Sequence, residues 1–302
     1  MVLSGYLHPG YARSLSEFGT PTALPRSGAW FLERSIPGEP DTDATCCYPY
    51  LACQDWTALA ADVDALGERL VSFTATPDPF GAYSLDDLQR AFPDVTAHFK
   101  DHYVADLTQP RERIASAHHR RLAEKALRTI DVECSDAPLA LLDEFMSLFE
   151  ASIRHFSIRG IRAYSRSAIA QQLALPGAYV TLARHGGVPV AAHMQLVHGE
   201  TAYGHLAGAT ENANALGASY ALYYTEIDYF ANKARWLDWG AEATLTGAEG
   251  TLGRFKRGWS TGTRPAYFCG RVLNAARYDE IVRARGIGPT NYLPAYREGE
   301  FR

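Results

Sequence analysis

The spacing of apolar residues predicts an ordered series of helices and strands in the second half of the chain. Leu141, Phe145, Leu148 and Phe149 recur at intervals of three and four residues, which is the spacing of one buried helix face. Three extended stretches then follow, separated by short glycine-containing turns, and they predict an antiparallel meander. In order, the predicted elements are a helix from Asp136 to about residue 153, a helix over 165–175, strands over 178–184, 188–197 and 201–207, a helix over 217–233, and strands over 236–239 and 266–272.

The first half is less regular. Its first 45 residues are dense in Gly, Pro and Ser, so they predict an irregular arm with a single strand over residues 30–34. The other predicted elements are a helix from Asp55 to about residue 70, a strand over 70–75, a short helix from Ser84, a strand over 99–107, a helix over 110–129 and a strand over 130–134. Helices mixed with antiparallel strand pairs in this order predict an α+β fold.

One face of the strand predicted over 99–107 is rich in titratable groups. Alternation places Lys100, His102, Val104 and Asp106 on the same side. Two interpretations stay open for this face. It holds a substrate, or it is a half-exposed surface whose charges pair with one another.

Composition is that of an ordinary soluble globular protein. The 302 residues are 47% hydrophobic and 21% charged, with a formal net charge of −5, and the length favours two domains. No apolar run approaches the ~18 residues needed to cross a bilayer, and no signal-peptide pattern opens the chain, so we expect a cytoplasmic location. Since the net charge is negative, any contact with a nucleic acid has to be local.

The sequence lacks the motifs that mark several kinds of site. The five cysteines form no CxxC pair, and their number is odd, so we expect reduced thiols and no metal site. The chain has no Gly-x-Ser-x-Gly elbow and no Rossmann or Walker loop, so serine-hydrolase and nucleotide-loop mechanisms have no support.

The most distinctive stretch is Gly253-Arg254-Phe255-Lys256-Arg257-Gly258-Trp259-Ser260. It contains three cations and two aromatic residues flanked by glycines. The glycines would let the backbone approach an anionic ligand, and the side chains would bind it. We interpret it as a loop between two strands, a common position for sites in proteins that mix helices and strands. The alternative is a basic turn with solvated arginines and a Trp259 that fills a core.

Two motifs stand together in the second half. Trp236-Leu237-Asp238-Trp239-Gly240 ends 15 residues before Phe255-Lys256-x-Gly258-Trp259, and the meander carries Tyr203-x-His205-Leu206-x-Gly208-Ala209-Thr210 ahead of the helix over 218–230. In these features, residues 150–275 resemble the catalytic half of the FemA/FemX-type peptidyltransferases. That group is a branch of the GNAT superfamily with two GNAT-like domains in one chain.

The resemblance implies a fold and a division into domains. The expected architecture is α+β, with tandem GNAT-like domains whose mixed, mainly antiparallel sheets are flanked by helices. Residues 1–137 would hold the arm and a degenerate GNAT-like domain, and residues 138–302 the catalytic domain. No sustained heptad segment such as the arm of some relatives is present, so a cell-wall precursor is not implied as the acceptor.

The resemblance also implies roles for particular residues in the aminolysis of an activated ester. Lys256 would stabilise an oxyanion or a phosphate, and His205 and Asp238 would transfer a proton or position the amine. For the last two, a hydrogen-bonded strand histidine and a cap at a strand end are the structural alternatives. The residues expected to bind substrate are Tyr203, Glu242, Arg254, Phe255, Arg257, Trp259 and Arg264.

The donor is inferred from a departure from the usual GNAT pattern. Acyl-CoA enzymes carry a glycine-rich loop whose amides bind pyrophosphate at a helix start, whereas residues 211–219 here keep only Gly217 and begin with Glu211. This favours aminoacyl-tRNA as co-substrate, with an amine of a small molecule, glycan or peptide as acceptor and no resident cofactor. Two alternatives remain, namely an N-acyltransferase that uses acyl-CoA or a carrier protein, and an inactive GNAT-like module that only binds a ligand.

Overall fold

The computed structural model describes residues 2–242 and 250–300, and these form two compact units. The first unit contains the described residues of 1–8, 100–158 and 165–265, and the second contains those of 9–99, 159–164 and 266–302. The units therefore interleave along the chain. The sequence predicts a single boundary between residues 137 and 138, and that boundary stays a prediction.

Helices and strands alternate along most of the chain. The helices are α1 (Pro9–Ser14), α2 (Leu59–Leu66), α3 (Leu85–Ala91), α4 (Arg111–Ile114), α5 (Ala117–Ala126), α6 (Leu142–Phe156), α7 (Arg166–Leu173), α8 (Ala213–Leu216), α9 (Ala218–Phe230), α10 (Thr251–Arg257) and α11 (Ala275–Ala284). The strands are β1 (Thr20–Leu24), β2 (Ala29–Ser35), β3 (Thr42–Cys46), β4 (Ser72–Ala75), β5 (Val95–Asp106), β6 (Ile130–Ser135), β7 (Ala178–His185), β8 (Val188–His198), β9 (Thr201–Ala209), β10 (Trp236–Asp238) and β11 (Gly262–Val272).

The first unit is built on the predicted meander. Strands β6, β7, β8 and β9 pair antiparallel in sequence order. The short strand β10 then lies parallel to β9 on one side and antiparallel to the end of β5 on the other. The α+β prediction with mixed, mainly antiparallel strands is confirmed. Strand β10 is central because it joins the meander to β5.

Helices α9 and α6 pack on opposite faces of this meander. Tyr223, Ile227 and Phe230 of α9 share an apolar core with Ala202 and Leu237 of the strands. On the other face, β9 approaches the backbone of α6 so closely that a Cβ added at Gly208 would lie 2.5 Å from the backbone nitrogen of Phe149. Glycine is therefore required at residue 208 for this close contact.

The second unit corrects the prediction of an irregular arm. Strands β1, β2 and β3 pair antiparallel, β3 pairs parallel with β4, and β4 pairs antiparallel with β11. The turns between these strands contain Pro25, Gly28, Pro37, Gly38 and Pro40, and Gly28 and Gly38 have the positive φ angles of 69° and 80° that such turns require. The high density of turn residues in this region therefore comes from the turns that connect paired strands. The prediction was wrong because the strands between the turns are short.

The helix predicted over residues 110–129 is also corrected, since it is divided into α4 and α5. The backbone N–H of Ser116 donates to the carbonyl oxygen of Gly258 at 2.8 Å, and the Ser116 side chain caps α5 by accepting from the N–H of His119. A contact distant in sequence therefore interrupts a run with good helical propensity. Among the residues that the structure describes, no helix has the length and apolar character needed to cross a bilayer.

We predict that Gly208→Ala destabilises the protein, because its Cβ would meet the backbone of α6, which cannot rotate away. The expected loss is about 1 to 3 kcal/mol of unfolding free energy, or a melting temperature lower by roughly 2 to 10 °C. Thermal unfolding followed by circular dichroism measures it. Gly262→Ala is the matched control, since nothing lies within 4 Å of a Cβ there. Equal melting temperatures for the two variants would contradict the close-packing argument.

Candidate active site at the end of strand β10

A buried acid and imidazole pair stands at the end of β10. Asp238 is only 1% exposed and His102 only 6%. Both Asp238 carboxylate oxygens lie about 3 Å from His102 Nδ1, at 3.0 and 2.9 Å. Asp238 is paired with Val104 in the register of β10 and β5, so strand alternation brings His102 to the same face. The Asp238 carboxylate also accepts the N–H of Gly240 at 2.7 Å.

Two lysines donate hydrogen bonds to the backbone of the segment that follows β10. Lys256 Nζ donates to the carbonyl oxygen of Ala241 at 2.8 Å, and Lys100 Nζ donates to that of Glu242 at 2.9 Å. Gly240 has a positive φ of 74°, and a Cβ there would lie 3.4 Å from Lys256 Nζ. The turn therefore lets the ammonium group reach the end of β10 beside Asp238.

Lys256 is buried, with 8% of its surface exposed. Burial lowers its pKa to about 8, and Lys100 adds to this, while the negative charges of Asp238 and Glu242 act in the opposite direction. Lys256 is consequently a cation at neutral pH that loses its charge within reach of physiological conditions. Groups with strongly shifted pKa values are enriched at functional sites.

The stretch containing Lys256 is helix α10, so the prediction of a loop was wrong. The Glu242 carboxylate accepts the N–H groups of Gly250 and Gly253, at 3.2 and 2.6 Å, which compensates unsatisfied donors in the first turn. This acid comes from a segment separated in sequence. Helical geometry also separates the three cations, because Lys256 is buried while Arg254 and Arg257 are exposed.

The two aromatic residues of this stretch pack inside the first unit. Trp259 is fully buried, and its carbonyl oxygen accepts from Trp239 Nε1 at 2.8 Å. Phe255 is half-buried, with ring centroids 5.0 Å from both Tyr220 and Tyr223 of α9. This packing matches the core-filling alternative for Trp259. It also fixes the side of α10 that carries Lys256.

His119 of α5 supports the end of α10. Its ring lies 5.6 Å from that of Phe255 and 5.2 Å from that of Trp259, centroid to centroid. A Cβ at Gly258 would fall 2.1 Å from His119 Cε1, so the glycine of the Phe-Lys-x-Gly motif leaves room for this ring. Burial, with a smaller effect of His118, lowers the pKa of His119, which favours a neutral ring.

His205 and Tyr203 lie on the same sheet face as Asp238. Tyr203 is paired with Asp238 in the register of β9 and β10, is 1% exposed, and has its hydroxyl 3.3 Å from His198 Nε2. The β8–β9 register shifts between Met194 and Gln195, which leaves His205 as the extra residue of a β-bulge. Bulges of this kind redirect a side chain, and here the side chain is His205.

Both ring nitrogens of His205 are engaged. Nε2 donates to the Gln172 side-chain oxygen at 3.0 Å, and Nδ1 accepts from the Tyr6 hydroxyl at 3.0 Å. Burial lowers the pKa of His205 to about 3. The neutral ring thus orients Tyr6, which is itself 5% exposed. This arrangement suits positioning better than proton uptake.

Arg264 lies away from α10, with its guanidinium carbon 5.1 Å from the centroid of the Trp236 ring. The structure therefore gathers Lys256, Asp238 and Glu242 around the end of β10, with Tyr203 and His205 farther along the same face. Arg254, Arg257 and Arg264 do not join them in a single cluster.

For His102 and Lys100 the sequence leaves open whether they hold a substrate, and it assigns Tyr6 no role. The alternating face of the strand over 99–107 was a signal for the first two, although their partners come from other segments and not from that face. Tyr6 had no signal, because a residue near the start of the chain meets β9 only through the fold.

Comparison with known proteins identifies similar folds. A family model described as an acetyltransferase (GNAT) domain matches residues 109–257. This match covers just under half of the chain. FemX has the same fold, with a TM-score of 0.65, 15% identity, and 90% of this chain and 93% of FemX covered. The predicted resemblance to FemA/FemX-like GNAT proteins is confirmed at the level of the fold.

Two further solved structures share the fold of this chain. The C-terminal DUF2156 domain of an Agrobacterium fabrum protein has a TM-score of 0.60 at 15% identity, with 90% of both chains covered. L-PGS from Bacillus licheniformis has a TM-score of 0.56 at 13% identity, with 96% of this chain and 100% of that chain covered. No curated protein matches the chain by sequence. The chain thus shares one overall fold with all three solved structures.

We predict that Gly258→Ala lowers the melting temperature by several degrees, because the new methyl group overlaps the His119 ring. The backbone is not the obstacle, since φ at residue 258 is −66°. The double variant His119→Ala/Gly258→Ala should lose less stability than the sum of the two single variants. Thermal unfolding of all four proteins measures the coupling. Strict additivity would show that the ring does not require the glycine.

Proposed function

We propose that this protein transfers an aminoacyl group from aminoacyl-tRNA to an amine acceptor and forms an amide bond. The observation that supports this proposal is that the buried Lys256 ammonium lies next to the Asp238–His102 pair at the end of β10. A cation and a proton-accepting pair side by side supply what the aminolysis of an ester needs.

The chemistry divides between these groups. The acceptor amine attacks the ester carbonyl, a C–N bond forms, the C–O bond to the ribose breaks, and the proton lost by the amine passes to the leaving oxygen. Asp238 accepts from His102 Nδ1, which places the basic lone pair of the neutral ring at Nε2. His102 is therefore our candidate to carry the proton. Asp238 orients the ring and stabilises the imidazolium.

Lys256 is our candidate for electrostatic stabilisation. Its ammonium group has three N–H donors, one of which is held by the Ala241 carbonyl oxygen. The same contact aims the group at the end of β10. In a buried environment, such a cation stabilises a developing oxyanion more strongly than it would in water. Burial also excludes water that would hydrolyse the ester.

The other predicted residues take supporting positions in this proposal. Phe255 orients Lys256 through its packing on α9, and Trp259 anchors the end of α10. Glu242 caps the start of that helix. His205 and Tyr203 line the face on which the acceptor amine would lie, and His205 acts there through Tyr6.

The start of α9 favours an aminoacyl-tRNA donor over acyl-CoA. The residues before α9 form the short helix α8, which ends at Gly217 with a φ of 72°. Ala218, the first residue of α9, is fully buried, and a Cβ at Gly217 would lie 3.2 Å from Ala126 of α5. A helix start covered in this way does not offer the row of open backbone amides that binds a pyrophosphate.

The fold relatives support the same class of reaction without specifying it. The family model that matches residues 109–257 is that of acetyltransferases, which keeps an acyl-CoA N-acyltransferase as the second candidate. The likeness to FemX and L-PGS supports a transfer reaction on the same architecture. An inactive module that only binds a ligand is the third candidate.

A donor assay tests the proposal directly. Purified protein is incubated with a mixture of tRNAs charged with radiolabelled amino acids, or with radiolabelled acetyl-CoA, in the presence of a panel of amines. We expect acid-stable amide product from the tRNA mixture alone. Product from acetyl-CoA alone would make the second candidate correct. Binding of either donor without any product across the panel would favour the inactive module.

We predict that Lys256→Met lowers kcat for transfer by about 10²- to 10³-fold, because the oxyanion loses its cation. The fold should be retained, since methionine fills a similar volume and removes a buried charge. Lys125→Met is the matched control, as Lys125 is an exposed lysine on α5. Turnover in Lys256→Met equal to that of the control would exclude Lys256 from the chemistry.

We also predict a basic limb in the pH profile of kcat/KM. Since the pKa of Lys256 is lowered to about 8, its ammonium is present below that pH, and the activity it supports is lost as the pH rises through 8. Lys256→Arg should lose this limb, because a guanidinium remains charged throughout the range. Rates from pH 6 to 9.5, corrected for spontaneous ester hydrolysis, measure it. A wild-type rate that stays constant from pH 7.5 to 9.5 would contradict the assigned role.

A further inference from the structure

A second concave surface opens on the first unit beside the candidate site. It has a volume of about 720 Å³, within the range of ligand pockets in proteins. The residues that define it for this argument are Asp106, Gln109, Arg113, Trp236, Thr263 and Arg264. We call it the Arg113 groove. None of the roles assigned above to the end of β10 uses it.

The groove lies on the same sheet face as the Asp238–His102 pair. Trp236 and Asp238 are two residues apart on β10, and they are paired with Asp106 and Val104 of β5. Residues two apart on a strand point to the same face, separated by roughly 7 Å along the strand. The Arg113 groove therefore lies about two residues along the sheet from Asp238.

The charge of the groove is positive. Arg113 and Arg264 line it, and Arg235 stands at its edge with its guanidinium carbon 5.1 Å from the centroid of the Trp236 ring. Asp106 is the one acid among the lining residues, and Arg235 lies 3.9 Å from its carboxylate. Asp106 also accepts from the backbone and hydroxyl of Thr108, at 3.1 and 2.7 Å. Asp106 and Arg235 therefore offset each other, and Arg113 and Arg264 supply the net positive charge of the groove.

The donors of the groove suit phosphate oxygens. Arg113 is exposed and makes no ion pair within residues 2–242 and 250–300. The side-chain amide of Gln109 and the hydroxyl of Thr263 add neutral donors on an exposed rim. Guanidinium groups recognise phosphate in a bidentate manner, and hydroxyl and amide groups are common partners of the nucleic-acid backbone.

We propose that the Arg113 groove binds the phosphate backbone of single-stranded RNA, as found at the acceptor end of a tRNA. The groove lacks the deep enclosure of a site for one small ion, and its guanidinium groups lie along a surface beside an indole ring. That combination of cations and an aromatic ring is typical of single-strand binding. The inference deepens the proposed function and rests on it for the identity of the RNA.

The test measures binding without chemistry. A fluorescein-labelled, uncharged single-stranded RNA of 12 nucleotides is titrated with wild-type protein, and its anisotropy is followed at several salt concentrations. The double variant Arg113→Gln/Arg264→Gln should bind at least ~10-fold more weakly at moderate salt. The slope of log K against log salt should decrease by about 1.4, the value for two lost contacts to a single strand.

The matched control is Lys125→Gln/Arg128→Gln on and just beyond α5, where both side chains are exposed. It removes the same two charges from the first unit, and its RNA affinity should stay within about 2-fold of the wild type. Equal weakening by the two double variants would overturn the proposal, because the RNA would then respond to net charge alone. Unchanged affinity in Arg113→Gln/Arg264→Gln would overturn it as well. Competition with CoA adds a third arm, and displacement of the RNA by CoA at the same residues would assign the groove to CoA phosphates and overturn RNA as its ligand.

Failure of this inference is distinguishable from failure of the proposed function. The loss of RNA affinity in the groove variant is measured with uncharged RNA, so it does not depend on whether the protein catalyses transfer. Suppose that the protein transfers aminoacyl groups from charged tRNA while the groove variant keeps its RNA affinity. That result would refute RNA binding by the Arg113 groove and would leave the proposed function unaffected. Groove-dependent RNA binding with no aminoacyl transfer would leave the groove as an RNA site and remove the proposed reaction.

Discussion

A carboxylate almost completely removed from water ends the short strand β10, and the candidate site depends on how its charge is compensated. An uncompensated carboxylate in such a place would be neutralised or would cost several kcal/mol. Asp238 meets this constraint with a hydrogen bond from His102, another from the N–H of Gly240, and the nearby charge of Lys256. Each comes from a different part of the first unit, so the site forms only when β5, β10 and α10 are in place.

The opposite face of the meander contains a second buried carboxylate. It shows how a buried carboxylate with a structural role is satisfied by hydrogen bonds. Glu226 of α9 is fully buried, with one oxygen 2.9 Å from His193 Nδ1 and 2.7 Å from Gln195 Nε2. These contacts join α9 to β8 in the middle of a packed interface. Among the residues that the structure describes, no lysine pairs with this carboxylate, in contrast to Asp238. The cation is therefore the feature that distinguishes the face proposed for chemistry.

Helix α10 illustrates why a motif can be recognised while its structure is mistaken. Arg254, Phe255, Lys256 and Arg257 suggested a loop because glycines flank them and cations crowd together. The helix forms because Glu242 supplies a cap and because Phe255 packs on α9. Both partners are distant in sequence. Helical geometry then turns Lys256 inward and the two arginines outward, so the three charges do not act on one ligand.

Local pattern was sufficient for the meander, for α6 and α9, and for the α+β class, since apolar spacing and turn residues act over a few neighbours. The motif of Asp238 and Lys256 also singled out, from sequence alone, two residues that the fold brings together. The tertiary structure decided what local pattern could not. It divided the basic helix at Ser116, redirected His205 through a bulge, and brought Tyr6 and His102 to the site. The physical reason is that a hydrogen bond or a buried charge is satisfied by whichever group the fold places within reach, whatever its distance along the chain.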